Sequence, residues 1–160
     1  MASTLDVVFF TLRGLRCALP ARLVRAVLPS PSLTPVPLAP SVLRGIAPLK
    51  GQILPVLDLG VWFQSASNDA NEDREFHLDG DHVLLIETEA DALNPSVRAA
   101  LAVEATIQVG VVDEAHSRPA PPRPTFISST VLDNNGPALL INMPLALDRV
   151  RDAISENLKP

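Results

Sequence analysis

The chain has 160 residues, 47% of them hydrophobic, enough apolar material for one ordinary domain or two small halves with a shared core. A formal charge of −5 with no basic stripe argues against a nucleic-acid partner, since neutralising a phosphate backbone takes clustered cations. One Cys precludes an internal disulfide, and no stretch approaches the about 20 apolar residues of a spanning helix, so a cytoplasmic protein with no direct membrane insertion is expected.

Short apolar runs separated by turn residues predict strands at 6–12, 15–19, 23–28, 46–50, 52–57, 82–88, 98–104, 106–112, 126–132 and 137–142. Ten short strands point to two small barrels. One Trp, five Phe and no Tyr leave the cores to Val, Leu, Ile and Ala. Arg13-Gly14 and Asn134-Asn135-Gly136 read as hairpin turns, because Gly and Asn tolerate left-handed backbone. Residues 29–41 hold five prolines and form a stiff connection.

The segment Gly45 to Leu59 is the densest in signals. Gly45 and Gly51 bracket an apolar stretch with one cation, Lys50. Ile53, Leu54, Val56 and Leu57 read as a strand buried on nearly both faces, with Pro55 marking an edge or bulge. Asp58 before Leu59-Gly60-Val61-Trp62-Phe63 reads as the cap of a short helical turn.

Gln64 to Asp81, rich in Ser, Asn, Asp and Glu, reads as a solvated mobile loop. His116 to Pro124 is proline-rich and is expected to run extended over the surface, outside any ladder. From Pro144, the apolar residues Leu147, Val150, Ile154 and Leu158 recur at helical spacing and predict an amphipathic C-terminal helix.

Catalytic constellations do not emerge. His77, His82 and His116 fall in or beside loops without metal-ligand spacing, and no glycine-rich phosphate loop opens a helix. The acidic residues between Asp69 and Asp81 lack the order and central glycine of a calcium loop. A non-enzymatic binding module is expected, with neither metal nor cofactor.

The Gly45 to Leu59 block resembles the central signature of the CheW-like family, modules that couple chemoreceptors to a chemotaxis histidine kinase. Val7 to Leu12, Cys17 to Pro20 and Leu23 to Val27 look like that family's opening strands, and Pro35-Val36-Pro37 and Leu43-Arg44-Gly45 follow in order. His82 to Ile86, Ala99 to Val112, Phe126-Ile127 and Ala138 to Asn142 resemble the remainder, so the likeness spans about residues 7–147. The C-terminal tail lies beyond it and reads as a local addition.

The resemblance implies a mainly β fold of two five-stranded SH3-like barrels sharing a hydrophobic interface, with short helical turns. The first barrel is expected over about 6–63 plus the C-terminal segment, the second over about 82–142, in a single domain of residues 1–160. It also implies a scaffold in bacterial signal transduction, binding the kinase regulatory domain and the chemoreceptor cytoplasmic tip at receptor arrays.

Carried over by position, Val24 and Ala26 lie on the kinase-facing edge, and Gly45, Lys50, Gly51 and Ile53 on the receptor-contacting corner. Core packing is the competing reading of Val24 and Ile53, and a solvated cation that of Lys50. The family usually has Asn-Leu-Arg-Gly where Pro48-Leu49-Lys50-Gly51 stands, and often a glutamate at the place of Ala26. Those departures leave open a single-partner adaptor or a regulator of a dedicated chemosensory or twitching-motility pathway. A small-molecule sensor enclosing its ligand in a barrel is a further alternative.

Overall fold

The computed structural model describes residues 3–63, 82–93, 95–119 and 124–157. Ten strands and one α-helix appear among them: β1 (Thr4–Leu12), β2 (Leu15–Pro20), β3 (Val24–Pro29), β4 (Leu43–Leu49), β5 (Gln52–Leu57), β6 (His82–Glu87), β7 (Arg98–Asp113), β8 (Arg118–Pro119), β9 (Ile127–Asp133), β10 (Gly136–Ile141) and α1 (Met143–Asn157). The fold is mainly β, as the sequence predicts. The expected loop from Gln64 to Asp81, with its acidic cluster and His77, lies outside the described residues, as does Leu158.

The strand expectations at 98–104 and 106–112 merge into one, because β7 runs unbroken for 16 residues and serves both halves. Its first part pairs with β6 and, in parallel, with β5. Its second part pairs with β1, after a bulge between Phe9 and Thr11. One set of strands is therefore β4-β5-β7-β6-β3, and the other β7-β1-β2-β10-β9-β8. This pairing cuts across the contiguous division at 6–63 and 82–142: β3, β4 and β5 join β6, while β1 and β2 join β9 and β10. Contiguity in sequence does not decide pairing once a strand is long enough to bridge two sheets.

The side-chain period of two explains the apolar runs. Along β7, Ala100 and Ala102 turn into a cluster with Ala47, Leu49, Leu54, Val56 and Val83, the interior of one half. Their neighbours Ala99, Leu101 and Val103 face a central cluster containing Phe10, Leu12, Cys17 and Leu19 from the other half. Ala18 turns the opposite way, joining Val7, Phe9, Val112, Val131 and Ala138. Strands buried on both faces thus line a half-interior and the shared interface at once.

The helix belongs to that interface. Asn142 caps it, its Oδ1 accepting from the Leu145 amide at 3.2 Å, and Pro144 sits in the first turn, where no amide donor is needed. Met143, Ala146, Leu147 and Val150 are buried in the central cluster, with Ile154 packed against it. The tail is core rather than appendage, which corrects the reading of it as an addition.

Two smaller corrections concern prolines. Arg118 and Pro119 do enter a ladder, opposite Thr130 and Ser129 of β9. Pro55 lies in β5, flanked by β4 and β7, opposite Ile46. Ile46 spends its amide and carbonyl on Thr34, at 2.9 Å each, so on that side Pro55 faces no group that needs its missing donor.

Candidate functional site

The corner singled out in the sequence is the β4–β5 hairpin. Leu49 faces Gln52, leaving Lys50 and Gly51 as a two-residue turn with φ of 49° and 79°. Positive φ at both positions is the primed turn whose twist matches a hairpin, and it demands glycine or pays for a side chain in left-handed backbone. Lys50 is exposed at its apex and has no ion-pair partner among the described residues.

Ile53 is 73% exposed, opposite the exposed Pro48. The expectation of a strand buried on nearly both faces fails here and holds from Leu54 onward, where Leu54, Val56 and Leu57 are buried. Gly45 is buried at a bulge. A Cβ there would lie 2.7 Å from the Thr34 carbonyl oxygen, so the glycine admits the proline-rich connection against β4. Its role at the corner is to shape it, not to touch a partner.

β3 ends its sheet, next to β6. Val24 and Ala26 are half-buried, and Val24 packs against the central cluster, while Arg25 and Val27 between them are exposed. Lys50, Gly51 and Ile53 therefore share one exposed corner, whereas Val24, Ala26 and Gly45 lie mainly inward.

A cleft of about 230 Å³ joins the hairpin to the β3 edge, lined by Arg25, Leu49, Lys50, Gln52, Leu54, Leu85, Ile86, Glu87 and Arg98. Glu87 is bracketed by two guanidinium groups, with Arg25 Nε 3.3 Å and Arg98 Nε 3.4 Å from Oε2. Arg98 Nη1 also donates to Gln52 Oε1 at 3.0 Å. Sequence reading missed Arg25, Gln52, Glu87 and Arg98. Their only signal was opposite charge at the ends of apolar runs, and the register that places Glu87 opposite Arg98 is not readable from the chain.

Asp58 has a second office beyond the predicted cap. Its Oδ1 accepts from the Gly60 amide at 2.9 Å, and its Oδ2 lies 2.7 Å from Arg44 Nη2 and 3.1 Å from Arg13 Nη2. A carboxylate 1% exposed is tolerable only with such partners. Among the described residues no group of three His, Cys, Asp or Glu is placed to hold a metal ion.

The family model described as the CheW-like domain matches residues 6–151. The chain belongs to the CheW-like family. This CheW-like domain resembles the crystal structure of the scaffolding protein TtCheW from Thermoanaerobacter tengcongensis, with a TM-score of 0.66 and 23% identity over 87% of this chain and 89% of that one. At that identity the likeness speaks for the fold, including its two SH3-like barrels. No curated protein sequence matches the chain. The match to residue 151 takes in more than half of α1, in keeping with the helix's place in the core of the CheW-like domain.

Proposed function

We propose that this protein is a non-catalytic coupling scaffold that links chemoreceptors to a chemotaxis-type histidine kinase. The observation that carries the reading is the CheW-like match across residues 6–151. The packing supports it: both half-interiors are filled by aliphatic side chains, which favours docking on outer surfaces over a ligand held inside a barrel. Lys50, Gly51 and Ile53 form the corner offered to the receptor tip, with Gly45 setting its shape. Val24 and Ala26 belong to the β3 edge offered to the kinase regulatory domain, where Arg25 and Val27 supply the exposed side chains.

No described helix is long and apolar enough to cross a membrane. On the coupling reading the protein works in the cytoplasm and reaches receptor arrays through its partners.

The test is co-purification with a receptor cytoplasmic-tip fragment and a kinase regulatory fragment from the same genome. Capture of both is expected. Capture of one alone would make the protein a single-partner adaptor, and capture of neither would overturn the coupling reading.

A further inference from the structure

We propose that the cleft between the β4–β5 hairpin and the β3 edge recognises an acidic side chain, Glu or Asp, presented beside an aliphatic residue on a partner protein. The inference rests on the coupling reading above and names the chemistry of that contact. Arg25, Lys50 and Arg98 line the cleft against a single acid, Glu87, leaving a formal excess of two positive charges. The chain as a whole carries −5, so this cationic spot runs against its own background.

The cations are not equivalent. Arg25 and Arg98 are drawn onto Glu87, and Arg98 is further held by Gln52. Lys50 has no ion-pair partner among the described residues and stands at the apex of a turn whose two central residues both have positive φ. A hairpin tip so constrained presents its ammonium at low entropic cost, which favours a partner's carboxylate over bulk water.

Leu49, Leu54, Leu85 and Ile86 also line the cleft. Ile53 and Pro48, both exposed, add an apolar rim beside the turn. A carboxylate entering between Lys50 and Arg98 therefore arrives with its neighbouring aliphatic contact already provided. Charge steers the approach and the rim fixes the register.

The experiment measures affinity for the receptor-tip and kinase regulatory fragments by titration calorimetry. Lys50→Glu reverses the free cation. Gln52→Glu retains an acceptor for Arg98 while placing a resident carboxylate in the cleft. Each variant is expected to weaken binding of one fragment by about tenfold or more. Lys50→Arg should stay within about twofold of wild type, because it keeps the charge. One Glu→Lys or Asp→Lys change in the bound fragment should restore binding to the Lys50→Glu variant.

Unchanged affinity in both Lys50→Glu and Gln52→Glu, with wild type binding normally, would overturn the acidic-contact proposal and leave the coupling reading standing. Failure of wild type to bind either fragment would remove both. Inorganic phosphate shifting the side-chain NMR signals of Lys50 and Arg98, while the fragments leave them unmoved, would assign the cleft to a free anion and also overturn the proposal.

Discussion

Arg44 Nη2 lies 2.7 Å from Asp58 Oδ2, and that contact ties β4 to the short helical turn that follows β5. Arg13 reaches the same oxygen from the β1–β2 turn, so one buried carboxylate joins the two halves of the fold. Both arginines keep over a quarter of their side chains in solvent and can rehydrate if abandoned. Asp58→Ala should therefore cost about 2 to 4 kcal/mol, combining a broken buried pair with a lost cap. Urea unfolding checks it; a loss under about 0.5 kcal/mol, the range of surface changes, would make the cluster incidental.

The same hairpin region separates a core position from a surface one. Leu57 is 2% exposed in the central cluster, and Leu57→Ala should lower stability by about 2 to 5 kcal/mol through lost burial and a residual cavity. Lys50→Glu, at an exposed turn, should leave thermal unfolding within about 0.5 kcal/mol. Equal losses in the two variants would place Lys50 in the structural framework.

Most of the strand set was legible because each strand carries its own period and its own punctuation. Arg13-Gly14, with φ of 52° and 80°, and Lys50-Gly51 announced two hairpins through their glycines. Asp58 was legible as a cap because its partner amide, Gly60, is two residues away. Arg13 and Arg44 as its ion partners were not, since they lie 45 and 14 residues off and charge carries no address. Likewise Ile53 looks like core in sequence, being one of four aliphatics in six residues. Only the parity of β5 against β4 and β7 turns it outward while Leu54 and Val56 turn in. The division into halves escaped for a further reason: β7 changes partners midway, and nothing in its alternation marks the change.

Gly45 offers a test of close backbone approach. Adding a Cβ 2.7 Å from the Thr34 oxygen must displace the chain that exchanges two hydrogen bonds with Ile46. Gly45→Ala should cost more than about 1 kcal/mol, since the native conformation does not admit the side chain. Hydrogen exchange at the Thr34 and Ile46 amides should accelerate ahead of the rest of the sheet. Protection unchanged at both amides would show that the connection is held by other contacts.

Arg16 grips Asp133 with two parallel hydrogen bonds, Nη1 to Oδ1 at 2.6 Å and Nη2 to Oδ2 at 2.8 Å, pinning β2 to the β9–β10 turn. The side-chain bond to Arg16 holds the Asp133 carboxyl below its ordinary range, against the opposing effect of burial. A depressed folded-state pKa contributes stability above the unfolded value of about 3.9 and loses it as pH falls through the folded value. Asp133→Asn should thus be less stable than wild type at pH 7, with the gap closing in acid below about pH 4. A gap constant from pH 7 to pH 3 in urea unfolding would mean that the pair adds no pH-dependent stability.

Cys17 has no exposed surface and lies in the central cluster between the halves. Burial pushes its thiol up to about 12. At pH 8 only about one part in ten thousand is then thiolate, the form that reacts. Alkylation of native protein should proceed only as fast as the halves open, independently of reagent concentration once reaction outpaces reclosing. Adding urea just below the unfolding transition should raise the rate in step with the fraction open. Rapid alkylation in buffer alone, first order in reagent, would mean that the interface between the barrels opens far more readily than its packing implies.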